Sequence, residues 1–324
     1  MSRASLDKKI EALLALREGP VTDTTHAHLR KALRDPSNYL CAKAAALIGE
    51  LELRALIPEL LEVFDHHLAG GSGTDSQCWA KNAIVETLAR FGHSDAAVFL
   101  RGMAHFQPEP VWGGSQDTAA ALRGSCALAL AQTAIDDQEA LAKLVDLLGD
   151  PEKPVRTDAV RSIAQFTCDS VVLLLRIKAI AGDREAEVTG QCFVSLLEIA
   201  PQDHLEWVRA FLKGDDDLSY EAAIALGGCK DPVSVQALTK HFDSAANPGA
   251  RKVALVGLGT SRHDQAKEFL LAQAESGTAS DAAEAIRALA NSRYRDTVVE
   301  RLREIVTKRA ERTVSNIFAK EFAS

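Results

Sequence analysis

Apolar residues in this chain recur at three- and four-residue steps in short blocks, separated by turns rich in Asp, Pro, Gly and Ser. That period puts them on one face of a helix, so the chain reads as a succession of short amphipathic helices, and strands are not expected. One stretch sets the pattern: Asp150 to Phe166, DPEKPVRTDAVRSIAQF, joins an Asp-Pro turn, a Val-Arg pair and a helix with small and large apolar residues at helical spacing. Anchored on Ile163, the pattern returns at Ile48, Leu88, Leu130, Leu196, Leu226, Leu258 and Leu289, most of them roughly 30 to 33 residues apart, the signature of a helical repeat.

Four residues before each anchor stand Ala44, Ile84, Cys126, Ala159, Cys192, Ala222, Ala254 and Ala285; one after it stand Gly49, Ala89, Ala131, Ala164, Leu197, Gly227, Gly259 and Ala290. These mostly small columns let neighbouring helices approach while the anchor fills the gap between layers. Further upstream runs a polar ladder. Asp35, Asp75, Asp117, Asp150 and Asp183 precede the helices, and Lys81, Arg123, Arg156 and Arg251 share one slot inside them. An Asp so placed can accept from the first helical amides and from an Arg of its own or the adjacent layer.

The elements expected are a cap helix within residues 4–18, helix pairs up to about Asn291, and a closing pair in 293–324, making residues 1–324 a single repeat domain. Twice the period stretches, to about 40 and 42 residues, and the surplus lies in the Gly- and Pro-rich segments GGSGTD and FQPEPVWGGSQD. Both connect the two helices of one repeat. Consecutive repeats stack side by side, so the two loops should emerge next to one another on one edge.

At Asp117 with Arg123 and at Asp150 with Arg156, small-residue helices behind an Asp turn with an Arg six residues on, the chain resembles HEAT repeats, in the short form of the phycobilisome-lyase-like subset. The resemblance covers nearly the whole chain and weakens after Asp183, where Thr189 and Ser219 stand in the Arg slot. It implies an all-α, right-handed α-solenoid of about eight to nine helix pairs, with outer first helices and inner second helices lining a concave surface. Two enzyme groups resemble this architecture. Deoxyhypusine hydroxylases carry repeated His-Glu pairs for iron, and no His here is followed by Glu; phycobilin lyase subunits have no short motif to test.

A net charge of -8 disfavours nucleic acid and anionic membrane surfaces as partners, since both ask for a basic face. The N-terminal segment carries charges throughout and no long apolar run, so neither a signal peptide nor a membrane span is expected, and the compartment is read as cytoplasmic. The six cysteines form no CxxC pair; Cys126 and Cys192 occupy the small-residue column and are read as small buried hydrophobes. There is no HExxH and no Cys cluster with zinc spacing, so no metal or cofactor is expected.

Two candidate binding surfaces remain. At the loop edge, residues 70–79 and 105–117, stand Trp79, His105, Glu109 and Trp112. Glu109, between Pro108 and Pro110, is held extended. Trp112 is either tucked against its own repeat or presented as an anchor. The second surface is the inner helix face, where Arg90, Gln132, Arg161 and Gln165 lie off the small columns. The expected function is a non-catalytic scaffold or adaptor binding a protein or peptide. The alternative is an enzyme or lyase-type subunit using His105, Glu109 and neighbouring acids at the same edge.

Overall fold

The structure is a computed structural model that describes residues 3–322; the last two residues of the expected closing pair, 323–324, lie outside that range. Among the described residues there are nineteen α-helices, and the fold is an all-α solenoid of stacked helix pairs. The chain divides into two compact units, Met1–Cys168 and Asp169–Ser324.

In the first unit α1 (Arg3–Leu14) is continued by a 3-10 turn, Ala15–Arg17. There follow α2 (Asp23–Leu33), α3 (Asn38–Glu50), α4 (Ile57–Gly70), α5 (Trp79–Arg90), α6 (Ala96–Met103), a hairpin of β1 (Pro108–Val111) and β2 (Gly114–Asp117), α7 (Ala120–Leu130), α8 (Asp137–Leu147) and α9 (Lys153–Ile163). Each pair closes on itself, α2 on α3 through α8 on α9, and the second members α3, α5, α7 and α9 stack in order. The second unit repeats the scheme with α10 (Ser170–Ala181), α11 (Ala186–Ile199), α12 (Pro201–Arg209), α13 (Asp217–Gly228), α14 (Val233–Ser244), α15 (Pro248–Thr260), α16 (Asp264–Ser276), α17 (Ala279–Ala290), α18 (Arg295–Arg309) and α19 (Arg312–Phe322). There α11, α13, α15, α17 and α19 form the stack.

The small columns lie where the stacked helices meet. Ala44, Ile84, Cys126, Ala159, Cys192, Ala222, Ala254 and Ala285 are fully buried, and so are nearly all surfaces of the anchors. Two glycines face each other's backbones where α13 meets α15: a Cβ added at Gly227 would collide with the Gly257 carbonyl oxygen, and one added at Gly257 would stand 2.6 Å from the Ala223 carbonyl oxygen. Helix starts are set by short polar side chains: Ser37 accepts from Leu40 N, Asp95 from Ala97 N, Asp216 from Ser219 N and Asn247 from Ala250 N.

The expectation of no strands is corrected at residues 108–117, where β1 and β2 pair antiparallel, Pro108 opposite Asp117 through Val111 opposite Gly114. Two prolines in four residues argue against a strand unless both occupy positions whose amides face away from the partner. They do, because Thr118 N donates to Gln107 O at 3.0 Å, and alternation from that hydrogen-bonded pair turns 108 and 110 outward. The two-residue turn Trp112-Gly113 closes the hairpin, with Gly113 at φ 88, the left-handed value that a type II turn requires at its third position.

The close approach at Gly257 yields a stability test. Gly257→Val forces α13 and α15 apart and is expected to cost about 1–3 kcal/mol by urea denaturation, whereas Gly228→Ala, with open space at its Cβ, leaves stability unchanged or slightly raised.

Candidate functional site

The polar ladder of the first unit is built as its spacing suggests. Asp75 accepts from Ala80 N at 3.0 Å and Lys81 N at 2.9 Å, capping α5, and from Asn38 Nδ2 at 2.9 Å. Arg123, fully buried, donates through Nε and Nη2 to both oxygens of Asp150 at 2.8 and 3.0 Å, and through Nη1 to Asp117 at 2.6 Å and to the His105 carbonyl at 3.1 Å. Its guanidinium stacks 4.0 Å from the centre of the Phe106 ring. One cation thus joins its own Asp to that of the next layer and fixes both ends of the hairpin segment.

The two long loops lie against each other, and Gln107 is their hub. Its Nε2 donates to the Asp75 carbonyl at 2.9 Å and to Glu109 Oε1 at 2.7 Å; its Oε1 accepts from the buried Lys81 Nζ at 2.9 Å and meets His105 Nε2 at 3.2 Å. Glu109 is the second hub. Besides Gln107, it accepts from Ser76 Oγ at 2.8 Å, Gln77 N at 2.6 Å and Thr118 Oγ1 at 2.6 Å. Burial alone would raise its pKa, but these hydrogen bonds outweigh burial and hold the carboxyl at about 2. The turn it clasps is strained. Gln77 and Cys78 both adopt left-handed backbone, φ 62 and φ 54, which costs roughly 1–2 kcal/mol each for residues with a Cβ. The charge-assisted bond from Gln77 N to Glu109 fixes that conformation.

The predicted edge residues therefore separate. Glu109 is extended, as its flanking prolines require, but only 7% exposed, so its reading as an exposed recognition residue is corrected: the side chain of an inward strand position points into the protein. His105 is half-buried against Gln107, and burial first, then Lys81 and Arg123, keep its pKa below the usual histidine value. Trp79 lies at the start of α5, edge-on to Tyr39 with ring centres 5.3 Å apart. Trp112 stands at the hairpin tip with 103% relative exposure. Of the inner-face residues, Gln132 and Gln165 line one shallow pocket of 290 Å³ with Val85, Glu86, Ser125 and Leu128. Arg90 and Arg161 are exposed outside it, Arg161 paired with Asp158 at 3.2 Å.

A larger pocket of 530 Å³ lies beside the loop edge, between Arg34, Asp35 and Pro36 of the α2–α3 turn and Glu62, His66, His67, Gly73 and Thr74. Neither His105 nor Glu109 lines it. At its wall the His67 Nδ1 is buried without a hydrogen-bond partner, and burial lowers the pKa of that imidazole below the usual histidine value. Among the described residues no group of three or more His, Cys, Asp or Glu side chains is placed to hold a metal ion, and no helix is long and apolar enough to cross a membrane. Burial pushes the Cys41 and Cys192 thiols up to about 12 and Cys78 to about 11, so none is a thiolate near neutral pH.

Sequence reasoning passed over one surface in the second unit. On α10, Leu173, Ile177 and Ile180 are 62%, 63% and 69% exposed, an apolar stripe at helical spacing bordered by Arg176. The signal was legible as SVVLLLRIKAIA, a helix apolar on nearly all sides.

No protein-family model matches the chain, and no curated protein sequence matches it. Solved structures do. A homology model of the full-length AP-3 complex in an intermediate open conformation aligns with a TM-score of 0.54 at 14% identity, over 93% of this chain and 58% of that one, so the chain spans little more than half of it. The CpcE–CpcF complex of phycocyanin lyase from Nostoc sp. aligns at 0.31 with 19% identity over 89% and 96% of the two chains. Human deoxyhypusine hydroxylase in complex with glycerol aligns at 0.29 with 18% identity over 81% and 91%. These neighbours are helical-repeat proteins, and the AP-3 likeness bears on fold alone.

Glu109 supplies a test that reads acid stability. Its depressed pKa means that its contribution is complete above about pH 4.5 and is lost as pH falls toward about 2. Glu109→Gln places an amide among donors and should cost about 2 kcal/mol at neutral pH. It should also flatten the part of the stability–pH curve between those two values, measured by urea denaturation at stepped pH.

Proposed function

We propose that this chain is a HEAT-like repeat scaffold, of the short phycobilisome-lyase-like form, that binds a protein partner without catalysing a reaction. The observation that carries this reading is the Trp112 hairpin. A fully solvated Trp at the tip of a two-stranded arm gains nothing for the folded monomer by burial, yet the arm is held upright by the Glu109 and Arg123 networks. A pre-organised, exposed aromatic is the form that a binding anchor takes, since little side-chain or backbone entropy is lost when a partner covers it.

The polar groups at the edge support the same reading over the catalytic alternative. His105, Lys81, Gln107, Glu109 and Asp75 converge, but they are spent on one another: the Glu109 carboxylate is saturated by four donors and Lys81 is fully buried. A catalytic acid or base needs an open face toward substrate and a pKa near its working pH, and a carboxyl held near 2 has neither property. The AP-3 chain of similar fold is likewise part of a complex.

The test is affinity purification from native extract with wild type and Trp112→Ala. A partner recovered with wild type should lose about thirtyfold in affinity with the variant, the roughly 2 kcal/mol of a hot-spot Trp. Equal recovery by both proteins would remove the hairpin from the binding surface.

A further inference from the structure

The two outer edges of the hairpin differ in what their backbones offer. Gln107–Thr118 is a hydrogen-bonded pair, so Glu109–Gln116 and Val111–Gly114 are too, and residues 108, 110, 115 and 117 direct their main-chain groups outward. On β1 both outward positions are proline, and that edge has no amide to give. On β2 they are Ser115 and Asp117, each with an N–H, and Gly114, Ser115 and Gln116 are exposed. Exposed edges are ordinarily blunted by proline, lysine or a bulge. β1 is blunted twice; β2 carries none of these, and the Trp112 indole stands at its end with Val111 half exposed beside it.

Resting on the reading of this hairpin as the recognition edge, we propose that the outer edge of β2 receives an extended segment of the partner protein as a third strand. The Ser115 N–H and C=O form the central hydrogen bonds, and Trp112 covers an apolar side chain of the incoming segment. The complementarity that selects this occupant is main-chain hydrogen bonding. Donors and acceptors two residues apart along a strand are matched by extended backbone, whereas a helix has its own groups already paired. A phosphate backbone is opposed by Asp117 and by the net charge of -8.

The inference is tested with a phage-displayed library of random linear peptides selected on the full-length chain. Enriched peptides are synthesised and titrated against wild type, Ser115→Ala, Ser115→Pro and Trp112→Ala. Proline at 115 should fold, because Pro110 already occupies the position directly opposite, and an unchanged thermal midpoint checks this. We expect Ser115→Ala to bind as wild type, Ser115→Pro to lose about tenfold, and N-methylation along the peptide to abolish binding at every second residue. Peptides that bind Ser115→Pro as tightly as wild type, or that show no two-residue period, overturn the third-strand model; so does a library that yields no enriched peptide. Self-association of the wild type that Ser115→Pro abolishes also overturns it, in favour of a second copy on the same edge. Loss with Trp112→Ala but not with Ser115→Pro leaves the recognition edge standing and removes this inference alone; loss with neither removes both.

Discussion

The edge of the first unit depends on the Glu109 carboxylate. Four donors, from Ser76, Gln77, Gln107 and Thr118, converge on one buried anion, and through them two loops from consecutive repeats become a single body. The consequences run both ways along the chain. On one side the carboxylate fixes two left-handed residues, Gln77 and Cys78, that the backbone would otherwise avoid. On the other it anchors β1 at its base, so that the turn beyond it carries Trp112 clear of the surface. Arg123 completes the restraint from below by joining Asp117 to Asp150 in the next layer. A hairpin of two four-residue strands is marginal in water on its own, and here its stability is borrowed from the buried network at its base.

This arrangement shows how a repeat protein acquires a local feature. The stack supplies only neighbour-to-neighbour packing, through Ala, Gly and Cys columns that any layer can use. Longer turns in two successive layers escape the repeat, and because they are adjacent they can bond to each other instead of remaining as separate solvated loops. The polar residues involved look catalytic when written as a list. Their geometry is that of a structural knot, with each charge facing an opposite charge or a donor, and the exposed chemistry is left to an aromatic ring and a strand edge.

Much of this was legible in the sequence, and what was not has identifiable causes. The small columns, the anchors and the Asp–Arg ladder follow from a period of one helix pair, and Asp117–Arg123–Asp150 bonds as its spacing indicates. The adjacency of the two long loops followed from the same register. The hairpin did not, because Pro108 and Pro110 weigh against a strand until their parity relative to Thr118 is known, and parity is a property of the pairing. For the same reason Glu109 could be read as extended but not as inward-facing. Trp112 was open to two readings because a turn between prolines and glycines does not fix which way its ring goes. The left-handed pair at Gln77 and Cys78 carried no glycine to announce it. On α10 the signal is present, an apolar run broken only by Arg176 and Lys178, and it lies outside the two long loops.

A Trp112 anchor has a partner protein within reach of its ring. The most direct measurement replaces Trp112 with a photo-reactive benzoylphenylalanine, irradiates the full-length protein in native extract, and identifies the adducts, with the same replacement at the exposed Val233 as control. A Trp112 anchor gives one discrete adduct specific to position 112. Adducts identical at both positions, or none at 112, would contradict it.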